Sequence, residues 1–264
     1  MSKMKRVLIC LSAMLVLTTM LSACGSSAGS DKVLKVGVDD TYPPMEFKDD
    51  KNTTVGFDID VATEIAKRLD MKAEFISNDW AGIFLALESN KFDVIVSSVS
   101  RNEERMEKYS MTTPYVANAQ VIVVPADNTT IFKPEDLAGK NVGVQIGTTA
   151  DESCAEYLKT TKFTLKQYDQ VIQPFSDMKA GRIDAIVVDE VVARYYTQKE
   201  PKSYKVSGAR LTNEPIGMCF AKGNTELRDK AQKALDEMFA DGTMKTLSEK
   251  WFGEDLSGNV KDIK

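Results

Sequence analysis

The chain has 264 residues, 43% of them hydrophobic and 28% charged, with a formal net charge of −5. That length allows one large or two small domains, with an apolar core that needs no metal or disulfide scaffold. The absence of histidine excludes histidine-based catalytic triads and the common zinc sites, and no Lys/Arg stripe of the kind nucleic acid requires is visible.

Lys3, Lys5 and Arg6 precede an apolar run, Val7 to Leu21, that is too short and too early for a membrane span. The run ends in Leu21-Ser22-Ala23-Cys24 and is followed by Gly25-Ser26-Ser27-Ala28-Gly29-Ser30. This pattern resembles a bacterial lipobox, in which the cysteine is acylated and becomes the first residue of the mature chain. The alternative is an ordinary signal peptide with an incidental cysteine. On the lipobox reading, residues 1–23 are a leader and residues 24–32 are the acylated Cys24 and a flexible tether. The chain is then exported and held on the outer (or periplasmic) face of the cell membrane. Loss of the three basic residues takes the net charge to about −8, further from any nucleic-acid binder. Cys10 leaves with the leader. Cys154 and Cys219 lie in different parts of the chain and are expected as buried free thiols.

In chain order, Val33–Val38 reads as a buried strand ending in Asp39, and Tyr42-Pro43-Pro44 as a stiff turn. Glu46–Lys48 and Val55–Phe57 flank a hairpin at residues 49–52. Asp58 to Leu69 is an amphipathic helix with Ile59, Ala62, Ile65, Ala66 and Leu69 on one face. Ala73–Ile76 is a strand, Trp80–Leu87 a short helix, Phe92–Val96 a strand and Asn102–Glu107 a helical turn. Tyr115 to Val124 runs extended into a second lobe. There, strands at Asn141–Gln145, Thr164–Tyr168 and Ile183–Val188 alternate with helices after Gly147, at Phe175–Ala180 and at Glu190 to Gln198. Ile216–Ala221 returns as a strand, and Thr225 or Asn224 caps a long helix. Residues 253–264 are polar and expected to fray.

One pattern occurs twice. Leu-Glu-Ser-Asn-Lys-Phe-Asp-Val-Ile-Val-Ser-Ser at 87–98 matches Met-Lys-Ala-Gly-Arg-Ile-Asp-Ala-Ile-Val-Val-Asp at 178–189. A strand type recurs too, as Lys35-Val36-Gly37-Val38-Asp39 and Asn141-Val142-Gly143-Val144-Gln145. These repeats, with the βα alternation, predict an α/β fold of two similar lobes with mainly parallel sheets and a two-strand hinge near Tyr115–Ala119 and Thr212–Gly217. Lobe 1 is expected at 33–116 and 216–264, and lobe 2, inserted, at 117–215. Open α/β sheets bind ligands beyond the carboxyl ends of their strands. The four strands end at Asp39, Ser98, Gln145 and Asp189, so facing lobes place these groups around one cleft.

Five features converge there. Arg105 follows the Ser98 strand end, and its guanidinium suits a carboxylate fork; its plain alternative is a solvated surface arginine. Ser98 and Ser100 offer hydroxyl and backbone donors, as serine-rich loops often do. Gly147-Thr148-Thr149 opens a helix, whose free amides suit an anion, or Thr148 is simply an N-cap. Asp189 suits an ammonium group, or caps the helix that follows. Tyr42 and Trp80 present aromatic faces to a ligand, or pack in the core. Together, arginine, hydroxyls and helix-start amides describe a carboxylate site, and Asp189 an ammonium site. The pair matches the zwitterionic head of an α-amino acid and leaves Asp39, Gln145, Tyr42 and Trp80 to meet its side chain. No nucleophile–base pair stands out, so an enzyme is not expected. An exported dehydratase using Asp189 or Glu190 is the alternative of another class, and a ligand sensor without transport is a further one.

These stretches, with Val55-Gly56-Phe57-Asp58-Ile59-Asp60 and Ser97-Ser98-Val99-Ser100, resemble the solute-binding proteins of polar amino acid ABC transporters over nearly the whole mature chain. The resemblance implies a bilobal receptor that closes on a free amino acid and delivers it to a membrane permease, as a monomer without cofactor or metal. It implies Arg105 on the ligand carboxylate, assisted by Ser98, Ser100 and Thr148, and Asp189 on the α-ammonium; Val99 and Thr149 are counted with these among the ligand-binding residues. It also implies Tyr42 and Trp80 as ligand walls. The Ser-Ser-Val-Ser segment and Asp39 look most like histidine and lysine/arginine/ornithine binders, which favours a basic ligand; glutamine or another polar amino acid is the alternative. The chain departs from the family pattern at Arg101 and Asn102, commonly an apolar residue and Thr, and at Met45, commonly Phe.

Overall fold

The computed structural model describes residues 32–258 and Val260. The leader and Cys24 lie outside the described residues. The first part of the chain builds β1 (Lys32–Val38), β2 (Thr41–Tyr42), β3 (Glu46–Lys48), β4 (Thr54–Val55), α1 (Phe57–Arg68), β5 (Met71–Ser77), α2 (Trp80–Glu88), β6 (Val94–Ile95), α3 (Glu103–Lys108) and β7 (Ser110–Met111). The middle builds β8 (Gln120–Pro125), a 3-10 turn (Pro134–Leu137), β9 (Asn141–Gln145), α4 (Thr149–Tyr157), β10 (Thr164–Tyr168), α5 (Ile172–Lys179), β11 (Ala185–Asp189), α6 (Glu190–Lys199) and β12 (Tyr204–Ser207). β13 (Cys219–Phe220), α7 (Thr225–Ala240) and α8 (Thr243–Phe252) follow.

Two five-stranded sheets result, in the orders β5-β1-β6-β13-β7 and β10-β9-β11-β8-β12, beside a small β2-β3-β4 sheet. The strands that alternate with helices pair in parallel, β1 with β6 and β9 with both β10 and β11. β13 and β8 run antiparallel to β6 and β11. Each of these two strands adjoins a crossing between lobes, so each runs opposite to strands that deliver their carboxyl ends to the cleft. The crossings pair with each other: Tyr115 N–H donates to Ile216 O at 2.9 Å and Ile216 N–H to Val116 O at 3.0 Å.

The sequence repeat has a shared physical cause. Val36-Gly37 lies opposite Val94-Ile95 in one sheet, and Val142-Gly143 opposite Ala185-Ile186 in the other. Asp93 and Asp184 each accept the first ladder amide of the neighbouring strand, from Lys35 and Asn141, both at 2.8 Å. A Cβ at Gly37 would sit 2.4 Å from the Phe92 ring, and one at Gly143 2.7 Å from Ile183 Cδ1. Phe92 and Ile183 are equivalent positions of the repeat, so the Gly of one strand and the apolar residue before Asp are a packed pair in both lobes. Asn90 and Gly181 end the preceding helices with φ of 56° and 71°, the left-handed turn common after a helix C-terminus.

Three expectations need correction. The segment after α8 is held rather than frayed through Gly258. Ser248 Oγ donates to Glu254 O at 2.9 Å and accepts Leu256 N–H at 2.8 Å, while Ala117 N–H donates to Leu256 O at 3.2 Å. The α8 helix itself follows Gly242 (φ 82°) and was not anticipated. α5 begins at Ile172, before Pro174, because a first-turn residue has no intrahelical N–H bond to lose. Two of the three departures are accommodated locally: Asn102 Oδ1 accepts Arg105 N–H at 2.8 Å as the α3 N-cap, and Met45 is buried in the core, whereas Arg101 Nε is buried with no hydrogen-bond partner among the described residues.

Candidate functional site

The strand ends converge on one cavity. Asp39, Tyr42, Trp80, Ser98, Ser100, Arg105, Gln145, Thr148, Thr149 and Asp189 all line it. Val99 does not. Ser97, Ser98 and Ser100 line the cavity, with the chain turning at Ser98 (φ 49°). Val99 packs with Trp80, Ile83 and Phe92, and its carbonyl accepts Gly217 N–H at 3.0 Å.

Arg105 is buried at 7% exposure on α3. Its Nη1 donates to Ser100 O at 3.2 Å, and its guanidinium carbon lies 5.5 Å from the Trp80 ring centroid and 5.2 Å from that of Phe84. Among the described residues it has no ion-pair partner within 4.0 Å. A buried guanidinium held on aromatic faces with part of its fork unused is suited to a bidentate anion.

Asp189 is the opposite pole. It stands at the N-cap of α6, yet its side chain makes no capping bond. Its carboxylate instead accepts from Tyr42 Oη at 2.9 Å, Ser98 Oγ at 3.2 Å and Gln120 Nε2 at 2.6 Å. Burial pushes it above the ordinary carboxylate range, because the charged form is costly away from water without a cation.

At a third position, Asp39 accepts from Thr41 Oγ1 and from Gln145 Nε2, both at 2.7 Å, and burial raises it too. Gln145 Oε1 is buried without a donor. Trp80 Nε1 donates to Gly147 O at 2.8 Å, which ties the indole of one lobe to the helix-start loop of the other. Thr148 is the N-cap of α4, accepting Asp151 N–H at 3.3 Å, and the Asp151 carboxylate takes Gly147 N–H at 3.0 Å. The chain's own caps therefore use groups at this helix start that the sequence offered to an anion.

Sequence reading missed Gln120, Glu46, Ser97 and Phe84. Gln120 is buried, with Nε2 within hydrogen-bond reach of Asp189, Thr149 and Glu214 and Oε1 without a donor. Its signal was a lone polar residue opening the apolar run Val121–Val124 directly after a crossing. Phe84 had none, since a helix phenylalanine reads as core. Cys154 and Cys219 are free and buried in separate clusters, their thiols pushed up to about 12 by burial, and so are unreactive.

Residues 34–254 match the model of the bacterial extracellular solute-binding proteins, family 3. The L-cystine-binding protein TcyJ of Escherichia coli (strain K12) is 35% identical over 225 residues, which cover 85% of this chain and 84% of that protein. The histidine-binding periplasmic protein of the same strain is 35% identical over 264 residues, covering 97% and 100%. A solved structure of an ancestral arginine-binding protein bound to arginine superposes with a TM-score of 0.81 at 42% identity, covering 84% of this chain and 98% of that one. With its family model, its relatives and its two-lobed fold in agreement, this chain belongs to the bacterial extracellular solute-binding proteins, family 3.

Proposed function

We propose that this protein is an exported receptor that takes a free basic L-amino acid between its lobes and delivers it to the permease of an ABC importer. One observation carries the reading. A single cavity is lined by a buried cation, Arg105, without a carboxylate partner among the described residues, and a buried carboxylate, Asp189, without a cation among them. A ligand that carries both complementary charges on one small head satisfies both at once, and an α-amino acid is such a ligand. Arg105 takes the carboxylate with Ser98, Ser100, Thr148 and Thr149 nearby; Asp189 takes the ammonium.

The preference for a basic side chain rests on charge. Asp39 and Asp189 against Arg105 leave the lining one negative charge in excess, with Glu46 taken as neutral. A cationic side chain restores balance at Asp39, where Trp80 adds a π face. The relatives named for histidine and arginine support this choice.

The same proposal takes 33–116 with 216–264 as lobe 1 and 117–215 as lobe 2. It places Cys24 as the lipid anchor at the outer face of the membrane. The protein acts alone, as a monomer that binds and releases its ligand unchanged. A thermal-shift screen over the common amino acids tests the assignment, since a ligand that prefers the native state raises the melting temperature. Arginine, lysine or histidine should give the largest rise; glutamine in first place would reverse the preference. Conversion of the bound compound, seen by product analysis, would move the chain to the enzyme class.

A further inference from the structure

Glu46, the first residue of β3, lines the cavity and is fully buried, as is Asp58 in the first turn of α1. Asp58 Oδ2 accepts Ser98 N–H at 2.7 Å, and Oδ1 accepts the Tyr115 hydroxyl at 2.8 Å. Glu46 Oε1 accepts the Ser97 hydroxyl at 2.7 Å, and Ser97 Oγ in turn accepts Asp39 N–H at 2.9 Å. Glu46 Oε2 has no N–H or hydroxyl donor. The Asp58 carboxyl is its neighbour, since the backbone sets the two residues side by side, Asp58 N–H donating to Met45 O at 2.9 Å.

Two neighbouring, fully buried carboxyl groups with no cation between them are not both ionised, so one of them keeps its proton. Asp58 already accepts two strong donors, which favours its charged form, so the proton belongs on Glu46. The surrounding titratable groups are Asp39 after β1, Tyr42 in β2, Tyr115 at the first crossing and Asp189 from the other lobe. None is a cation; Arg105 is the cation of the shared cavity.

What the pair holds is the ligand site itself. Ser98 has a φ of +49°, a left-handed conformation that a non-glycine residue keeps only when its partners hold it there. Its amide is held by Asp58 and its hydroxyl reaches Asp189 at 3.2 Å. We propose that Glu46 and Asp58 are positioning residues that share one proton, carried on Glu46, and thereby hold the Ser97–Ser98 turn and the Tyr115 crossing ready for ligand. Burial raises both carboxyls, Glu46 the more strongly. The sign follows: a carboxyl raised in the folded state contributes stability that is lost as pH rises through its folded value.

Difference infrared spectroscopy of the wild type against Glu46→Gln at neutral pH should show the C=O stretch of a protonated carboxylic acid in the wild type alone. Calorimetry with L-arginine supplies the functional arm. Glu46→Ala should weaken binding by about tenfold or more. Glu46→Gln keeps an N–H donor where the proton was, so it should recover most of that loss. It should also hold its affinity at alkaline pH, where the wild type weakens. A wild type without the carboxylic-acid band, or equal losses in the two variants, overturns the proposal. The infrared arm uses no ligand, so failure of arginine to bind would count against the assigned ligand and leave the proton assignment to its own result.

Discussion

Arg105 is costly to bury and makes no ion pair among the described residues, which is the ground for the carboxylate-binding role proposed for it. Removing it leaves a ligand carboxylate desolvated without its countercharge. Breaking a buried pair from one side costs about 3–5 kcal/mol. Arg105→Ala should therefore lose that much affinity by calorimetry, and near-native binding would contradict the carboxylate role. Asp39 divides the side-chain choices. Asp39→Asn keeps the size and an acceptor but removes the charge, so it should weaken arginine or lysine far more than glutamine in a competition panel. Asp189 shows how one residue supports two readings: as an N-cap its side chain would face its own helix, but it turns to Tyr42, Ser98 and Gln120.

The strand–helix units explain why the repeat survives as a pattern and not as identity. Each unit needs an Asp to take the neighbouring strand's first amide and a Gly beneath the apolar residue before it. Gly37→Ala would place a methyl 2.4 Å from the Phe92 ring, inside van der Waals contact. Overpacking of this kind costs about 1–3 kcal/mol, and chemical denaturation should read that loss. Gly143→Ala meets the far end of Ile183 at 2.7 Å; a flexible Cδ1 gives way more easily than an aromatic ring, so it should be the milder of the two.

At the scale of the whole molecule, the two lobes are joined across the cavity by Tyr42 and Ser98 on Asp189, Gln145 on Asp39 and Trp80 on Gly147. In a receptor that closes on its ligand, contacts across the cleft bias the open–closed equilibrium by their own free energy. Trp80→Phe keeps an aromatic wall and deletes one such hydrogen bond, worth about 0.5–1.5 kcal/mol. Ligand affinity should fall by a corresponding two- to about tenfold, with small-angle scattering showing a larger radius at subsaturating ligand. The pH response follows from the cavity carboxylates. Asp39 and Asp189 are raised by burial, so without ligand they contribute stability on the acid side that is lost as pH rises through their folded values. A cationic ligand needs them ionised. Its affinity should fall as pH drops into their range, and ligand should flatten the upper side of the melting-temperature profile. Surface carboxylates act oppositely: Asp241, lowered to about 2 by Thr243 and Arg68, contributes stability that disappears only in strong acid.

Local periodicity and the repeat sufficed for most of the elements and for an α/β fold of two lobes, because those depend on patterns of two, three or four residues; the order of the strands within each sheet did not follow from them. The 3.6-residue period likewise placed α1 and α7 from their apolar faces. Other features arise only when distant segments meet. Val99 faces the core because the chain turns at Ser98, Phe84 becomes a platform because α3 brings Arg105 over it, and Glu46 meets Asp58 because β3 folds against α1. A sequence records which groups are charged. Tertiary packing decides which of them lose water, and burial without a countercharge among the described residues is the physical condition that separates Arg105 and Asp189 from surface charges.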